Sequence, residues 1–289
     1  MISLLWLVLG VVSVAPKLLI ELGIDLVNSF IPFLRGPIRR IKINVLRIYN
    51  LPPHSAFSSQ FAKQVLRHQI RMSIETIREL LINGSILVDV ESFHRYQEIL
   101  LSAHETAKLG TNSSGVMIIT AHLGSWEMVA KVAASATAMP FYALAKPAKL
   151  SALTRMINGL RKGVQVHSIW TDKSSMLKES LSILKSNGFL GFVMDQKPDL
   201  RVGTSVEFLS TPTIFVNGPA RIALKLRPQV ISVFCIRTGP FLYKIFCENI
   251  SQSLYQYESV DMMTQKMADV ISSKIRDYPE QWVWNYKRW

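Results

Sequence analysis

Residues 116–127 read VMIITAHLGSWE, an apolar run that passes directly into polar residues. A short and apolar run of this kind is typical of a β-strand. Gly124 permits a tight turn after it, and Ser125 is a favourable N-cap for the helix that would follow. The stretch therefore predicts a strand, a turn and a helix, with His122 at the strand end and Glu127 in the first helical turn.

Outward from this stretch, short β-rich runs alternate with helical runs. We predict strands at residues 116–121, 141–145, 164–170, 189–194, 230–236 and 242–247. We predict helices near residues 57–82, 91–109, 126–137, 150–161, 174–186, 214–226 and 258–276. The alternation indicates an α/β domain with a mostly parallel sheet flanked by helices, and Gly239-Pro240 indicates an antiparallel hairpin between the last two strands. In such sheets the chemistry lies beyond the carboxyl ends of the strands.

The composition excludes several classes of protein. With 289 residues, 49% hydrophobic and 18% charged, the chain can bury a large core and is too apolar to be disordered. Its two cysteines exclude a disulfide framework and a four-cysteine zinc site, and they fit buried thiols in a reducing compartment. The net charge of +13 favours a polyanionic partner: nucleic acid, anionic lipid, a phosphorylated substrate or an acidic protein.

The N-terminus is strongly apolar. Residues 2–15 are uncharged, but 14 residues of helix cover only about 21 Å of a hydrocarbon core about 30 Å thick. Apolar character resumes over residues 18–34, with a polar stripe at helical spacing formed by Lys17, Glu21, Asp25 and Asn28. Three interpretations are open: a cleaved signal peptide, a transmembrane anchor continuing into a membrane-lying or bundle-facing helix, and a buried helix of a soluble domain. We predict the second, as a membrane anchor or amphipathic segment over residues 1–34.

A basic cluster follows this segment, with no acid before Glu75: Arg35, Arg39, Arg40, Lys42 and Arg47. Next to an apolar segment, such a cluster would bind anionic headgroups. If the segment spans the bilayer, the cluster places the rest of the chain in the cytoplasm. A solvated charged linker is the alternative.

His122 and Glu127 are candidates for acid–base chemistry. They would lie on different faces of a regular helix, but a turn between strand and helix can bring them together. A neutral imidazole facing a carboxylate can act as a general base, and the carboxylate then steadies the imidazolium. The alternative is a histidine that is only hydrogen-bonded within the structure, and a carboxylate that only favours the helix N-terminus.

Four blocks of sequence together resemble one family. The His-X4-Glu spacing of residues 122–127 matches the His-X4-Asp/Glu signature of glycerolipid-type acyltransferases. Residues 121–127 as a whole resemble the lipid A late acyltransferases, the lauroyl/myristoyl transferases within the lysophospholipid acyltransferase superfamily. Further segments of that family have counterparts here in the same order: Asp195-Gln196, residues 203–208 with GPARIA at 218–223, and PEQWVWNYKRW at 279–289.

The resemblance covers essentially the whole chain and implies a specific function. The expected fold is a glycerol-3-phosphate-acyltransferase-like mixed, mostly parallel sheet with an N-terminal membrane-anchoring helix and an acyltransferase domain over residues 35–289. The expected reaction moves a fatty acyl group from acyl carrier protein to a hydroxyl of a Kdo-bearing lipid A precursor. It would take place on the cytoplasmic side of the bacterial inner membrane, by a monomer that needs no metal, cofactor or nucleic acid.

The resemblance also implies roles for individual residues. His122 would be the base and Glu127 its partner. Arg161 falls where the family keeps an arginine, and we assign it to phosphate or oxyanion binding because a guanidinium can bind such groups bidentately; a solvated residue at a helix end is the alternative. Asp195 and Gln196 would orient the acceptor or brace the His122 loop, with a purely structural role as the alternative.

Departures from the family pattern and the tryptophan-rich end complete the set of candidates. Ser125, a further candidate for substrate binding, stands where asparagine is common, and Phe208-Leu209-Ser210 stands where Phe-Phe-Gly is usual. These differences bear on the chain length and the acceptor rather than on acyl transfer. The tryptophans of the closing block are expected to pack in the interior, with a place at headgroup level as the alternative: Trp282, Trp284 and Trp289.

Two other functions remain open on sequence. The same fold could acylate a different acceptor, such as a lysophospholipid, an aminolipid or a glycolipid. A non-enzymatic basic protein that binds membrane surfaces or nucleic acid is the other, although the chain carries no diagnostic nucleic-acid-binding motif.

Overall fold

The computed structural model describes Gly10 and residues 15–109, 114–198 and 203–289. The helices in these ranges are α1 (Lys17–Ser29), α2 (Arg35–Ile48), α3 (Ala56–Ile82), α4 (Val90–Leu109), α5 (Trp126–Thr137), α6 (Ser151–Lys162), α7 (Met176–Lys185), α8 (Gly218–Leu226), α9 (Ser251–Leu254) and α10 (Val260–Asp277). Two 3₁₀ turns lie at Ile31–Phe33 and Pro279–Gln281.

The strands are β1 (Leu87–Val88), β2 (Val116–Thr120), β3 (Phe141–Ala145), β4 (Val166–Trp170), β5 (Phe189–Val193), β6 (Gly203–Phe208), β7 (Thr211–Val216), β8 (Gln229–Gly239) and β9 (Leu242–Asn249). Seven of them form one sheet in the order β1-β9-β8-β2-β5-β3-β4. The strands from β8 to β4 in this order are parallel, whereas β8 and β9 form the expected antiparallel hairpin. The predicted α/β fold with a mostly parallel sheet is confirmed.

Strand β2 lies near the middle of this sheet, and both of its faces are covered. Met117 and Ile119 belong to the core on the side of α3, α8 and α10. Val116 and Ile118 belong to the core on the side of α4 and α5. Helices on both sides explain why the strand reads as an uninterrupted apolar run rather than as an alternating one.

One predicted helix, over residues 214–226, begins too early. Residues 211–216 form strand β7, which pairs with β6 in a separate antiparallel hairpin, and helix α8 begins only at Gly218. In β7 the buried positions alternate, as a strand with one packed face requires. Pro219 in the first turn favours a helix start there, and the strand and helix patterns had merged into one apolar run. The short strands β1 and β6 were not predicted either.

The N-terminal anchor receives no support from the structure. Apart from Gly10 and Ala15, the apolar run over residues 2–15 lies outside the described residues. Within the described ranges, none of the helices combines the length and the apolar character needed to cross a bilayer. Helix α1 instead packs on α3, burying Ile20 and Ile24 and pairing Glu21 and Asp25 with Arg71.

Candidate active site

The register of the sheet brings His122 and Asp195 together. In the parallel pair β2–β5, Thr120 lies opposite Val193. His122 and Asp195 therefore follow neighbouring strands at the same offset, beyond the carboxyl ends where α/β sheets bind their ligands. The main-chain N–H of His122 donates to Asp195 Oδ1 over 3.0 Å, and His122 Nδ1 lies 2.7 Å from the same oxygen.

This pairing fixes the imidazole for proton transfer. Because Asp195 accepts the proton on Nδ1, the lone pair of the neutral ring is on Nε2. His122 Nε2 lies 3.3 Å from the side-chain amide nitrogen of the exposed Gln196, which can donate to it. The indole N–H of Trp282 donates to the other carboxylate oxygen of Asp195 over 2.7 Å, so both oxygens are engaged.

Burial and charge act in opposite directions on both members of the pair. Burial lowers the pKa of His122, but the charge and the hydrogen bond of Asp195, with a further contribution from Glu127, raise it above its ordinary value of 6.5. Burial raises the pKa of Asp195, but His122 and the donors around the carboxylate lower it below its ordinary 3.8. The pair thus favours an ionised aspartate that can stabilise an imidazolium.

Glu127 makes its direct contacts elsewhere. Arg161 Nε donates to Glu127 Oε2 over 2.9 Å, and Arg161 Nη2 donates to Glu127 Oε1 over 2.5 Å. The third guanidinium nitrogen, Nη1, donates to Ser168 Oγ over 3.0 Å. The structure therefore differs from the sequence-based geometry twice: Asp195 rather than Glu127 hydrogen-bonds His122, and Arg161 holds a carboxylate instead of presenting a free fork to a substrate anion.

This arrangement joins the ends of two helices. Arg161 lies in the C-terminal turn of α6, and its guanidinium reaches the first turn of α5, where Glu127 lies. Glu127 still acts on His122 through its charge, as the raised pKa of the imidazole records.

Ser125 and its neighbour Gly124 shape the loop after His122. Ser125 is buried, and its hydroxyl lies 2.7 Å from that of Thr76 on α3 instead of capping α5. Gly124 has a φ of +58°, and a Cβ there would lie 2.1 Å from the carbonyl oxygen of Cys235. The predicted glycine turn is thus required both by backbone conformation and by the close approach of β8.

The C-terminal segment holds the other side of this loop. Val283 N–H donates to His122 O over 3.0 Å, and Gly124 N–H donates to Gln281 O over 3.1 Å. Trp282 and Trp284 are 2% and 1% exposed, which confirms that they pack in the interior. Trp289 is partly buried and stacks near Phe208.

An apolar groove of about 380 Å³ opens at the residues that follow His122. One end is formed by Ser125, Trp126 and Glu127, and Trp126 packs edge-on against the His122 ring at 4.9 Å between centroids. The walls come from α3 and α6: Met72, Ile77, Leu80, Leu153, Met156 and Leu160. A larger cleft of about 540 Å³ between α4, β9 and α10 is lined largely by charged side chains and includes none of the residues around His122.

Within the described residues, no cluster of three or more histidine, cysteine, aspartate or glutamate side chains is arranged to hold a metal ion.

The sequence had pointed to each of the main residues but not to their partners. The signal for Asp195 was its position just after a predicted strand, as for His122, but adjacency of the two strands is not written in the local pattern. No sequence signal predicted three further contacts: the hydrogen bond from Trp282 to Asp195, the contact of Thr76 with Ser125, and the hydrogen bond from Arg161 to Ser168.

The comparison with known families supplies the remaining finding. A sequence model described as bacterial lipid A biosynthesis acyltransferase matches residues 2–289, which is nearly the whole chain. No protein among curated sequences matches the chain.

Proposed function

Because the chain belongs to the bacterial lipid A biosynthesis acyltransferase family and is therefore an acyltransferase, we propose that it moves a fatty acyl group from acyl carrier protein to a hydroxyl of a lipid A precursor. The observation that carries this proposal is a histidine whose Nδ1 is held by a buried carboxylate and whose Nε2, next to the exposed Gln196 amide, carries the lone pair, beside an apolar groove.

The chemistry follows from the two ring nitrogens. His122 Nε2 takes the proton of the acceptor hydroxyl while the oxygen attacks the thioester carbonyl, and Asp195 stabilises the resulting imidazolium through Nδ1. The tetrahedral intermediate expels the carrier thiolate, which takes the proton back from Nε2. The new ester and the free thiol are the products, and the imidazole returns to its starting form.

Glu127 and Arg161 act as positioning groups in this proposal. Their bidentate pair ties the start of α5 to the end of α6, the two helices that border the entrance of the groove. The net effect of Glu127 on the imidazolium is favourable and long-range.

The groove is the proposed site for an acyl chain. Its surface is mainly apolar, with a few polar side chains such as Gln69, Ser73 and Thr76, so an alkyl chain bound there would remove apolar surface of the chain and of the groove from water. Ser125 and Glu127 also line the groove and follow closely after His122, the residue that would activate the hydroxyl. An acyl chain in this groove would place its carboxyl end near His122.

We further propose that the protein works at the cytoplasmic surface of the bacterial inner membrane, with α1 lying in the interface. Helix α1 and the turn after it expose an apolar face on the side away from α3: Leu18, Leu22, Leu26, Phe30 and Phe33. Arg35 and Arg39 of α2 follow directly and are exposed. An apolar face flanked by basic side chains is the pattern of interfacial helices on anionic lipid.

The test is acyl transfer in vitro. Purified protein in mixed micelles is given acyl–acyl carrier protein and a tetra-acylated lipid A precursor, and mass spectrometry should show one added acyl chain. His122→Ala should lower the rate by about 10²–10⁴-fold, because it removes the general base. His94→Ala, an exposed histidine on α4, is the matched control and should retain the wild-type rate.

A wild-type protein that adds no mass to this lipid, but acylates a lysophospholipid, an aminolipid or a glycolipid, would contradict the proposed acceptor while leaving acyl transfer intact. Full activity in His122→Ala would contradict the proposed base.

A further inference from the structure

The carboxyl ends of the parallel strands carry a row of lysines that leads away from His122. Strand β5, the neighbour of β2, is followed by Lys197; β3, the next strand, is followed by Lys146 and Lys149; and the outermost strand β4 is followed by Lys173. With about 4.8 Å between neighbouring strands, this row extends over about 10 Å of one sheet edge, from β5 to β4, and it begins one strand away from His122. We refer to these four residues as the strand-end lysines.

The strand-end lysines are all exposed, and none of them forms an ion pair or a side-chain hydrogen bond within the described residues. Acids do not balance them. In the described loops that follow these strands, the acids are the exposed Asp172 and the buried Asp195, whose carboxylate faces His122 and Trp282 rather than the lysines. The surface is therefore a net positive one that ends at the candidate base.

We propose that the strand-end lysines dock an acidic protein, the carrier that delivers the acyl group as a thioester. The proposal rests on the proposed function, which requires such a donor. The length of the row is close to the diameter of an α-helix, so an acidic helix exposed on a small protein could lie against it. The row lies on the same sheet edge as His122 and the entrance of the apolar groove. A carrier held there could deliver a thioester to His122 while its acidic face pairs with lysines.

The position of the apolar face of α1 favours a protein over a lipid surface as the occupant. That face is formed by α1 and the turn after it, whose main contacts are with α3, whereas the lysines follow β5, β3 and β4. Long-range attraction between a basic row and an acidic carrier raises the rate of association more than it changes the chemical step.

The test compares two donors in one variant. Lys146→Glu/Lys149→Glu/Lys173→Glu is expected to raise KM for acyl–acyl carrier protein by at least about tenfold, with a small effect on kcat. Transfer from an uncharged thioester, acyl-N-acetylcysteamine, should stay within about twofold of wild type, because that donor offers no acidic surface. Added salt should raise the wild-type KM for the carrier towards that of the variant.

The matched control reverses lysines that do not follow the strands bearing the row. Lys185 and Lys225 precede β5 and β8, Lys63 lies on α3, and all three are exposed and carry no partner in the described part of the chain. Lys63→Glu/Lys185→Glu/Lys225→Glu changes the net charge equally and is expected to leave KM for the carrier near the wild-type value.

Each other outcome counts against the docking surface. Equal effects of the two triple variants would show a general charge effect. A rise in KM for the lipid acceptor instead of the carrier would assign the lysines to the lipid headgroup. Equal loss with both donors would place their role in the fold or the chemistry. Absence of transfer by the wild-type protein from either donor would instead refute the proposed function.

Discussion

The ionisation of His122 depends on a carboxylate 73 positions later in the chain. Burial alone would lower the pKa of the imidazole, and Asp195 reverses that effect. A base of this kind is inactive when protonated, so the rate should rise with pH as His122 loses its proton, with a midpoint above the ordinary value of 6.5.

Asp195→Asn should change both the rate and its pH dependence. The amide removes the negative charge while the burial of the ring remains, so the pKa of His122 should fall. The acidic limb of kcat/KM should then move to lower pH. The new NH2 group can also donate to Nδ1 and so disfavour the productive tautomer, and kcat should fall by about 10²–10⁴-fold.

The measurement is a pH–rate profile of the variant beside wild type and Asp269→Asn, which alters an exposed aspartate on α10. An unshifted acidic limb in Asp195→Asn would show that the titrating base is not His122 paired with this carboxylate. The Asp269→Asn profile should superimpose on that of the wild-type protein.

At the scale of elements, a buried ion pair joins α3 to α5. Lys131 donates to Glu79, and its ammonium also donates to Asn83 Oδ1 over 2.6 Å. Glu79 accepts in addition from the N–H groups of Gly84 and Ile86, which follow the end of α3. The carboxylate thus fixes the turn after α3, the helix that also forms a wall of the apolar groove.

Lys131→Met should lower the free energy of unfolding by about 3–5 kcal/mol, because it leaves Glu79 charged and buried without its cation. Glu79→Gln/Lys131→Met should lose less than the single variant, since the unpaired charge is gone. Lys63→Met, at an exposed position of α3, should be close to wild type. Urea unfolding followed by circular dichroism gives these free energies. A double variant that is less stable than Lys131→Met would contradict the account.

At the scale of the whole molecule, the net charge of +13 includes two basic surfaces that lie beside different parts of the protein. The basic residues of α2 follow the apolar face of α1, whereas the strand-end lysines border the candidate active site. The first arrangement suits a lipid surface, which takes up apolar side chains as well as charge. The second suits a protein partner that needs only charge and access to His122.

Leu22→Glu/Leu26→Glu should weaken binding to vesicles that contain an anionic phospholipid, because two apolar side chains that would enter the interface become charged. Cosedimentation with vesicles should show at least about a tenfold loss in affinity for the vesicles. Acyl transfer from a soluble thioester to an acceptor in detergent should be retained. Leu101→Glu/Leu177→Glu, at exposed sites on α4 and α7, should bind as wild type does. Equal binding by both double variants would exclude α1 as the contact.

The sequence by itself determined the local structure of the site. The apolar run before His122 and the glycine after it specify a strand that ends in a turn, because backbone conformation depends on residues near in sequence. The family pattern likewise identified the residues that gather there. Where a strand and a helix follow each other closely, the local signal extended the predicted helix of residues 214–226 over the end of strand β7.

Only the tertiary structure decided which side chains meet. His122 pairs with Asp195 because β2 and β5 are neighbours in register, and Glu127 pairs with Arg161 because the end of α6 packs beside the start of α5. The strand-end lysines form a row for the same reason, since the order β2-β5-β3-β4 is not the order of the chain. Strand order is set by how the helices cover both faces of the whole sheet, and that packing involves residues far apart in sequence.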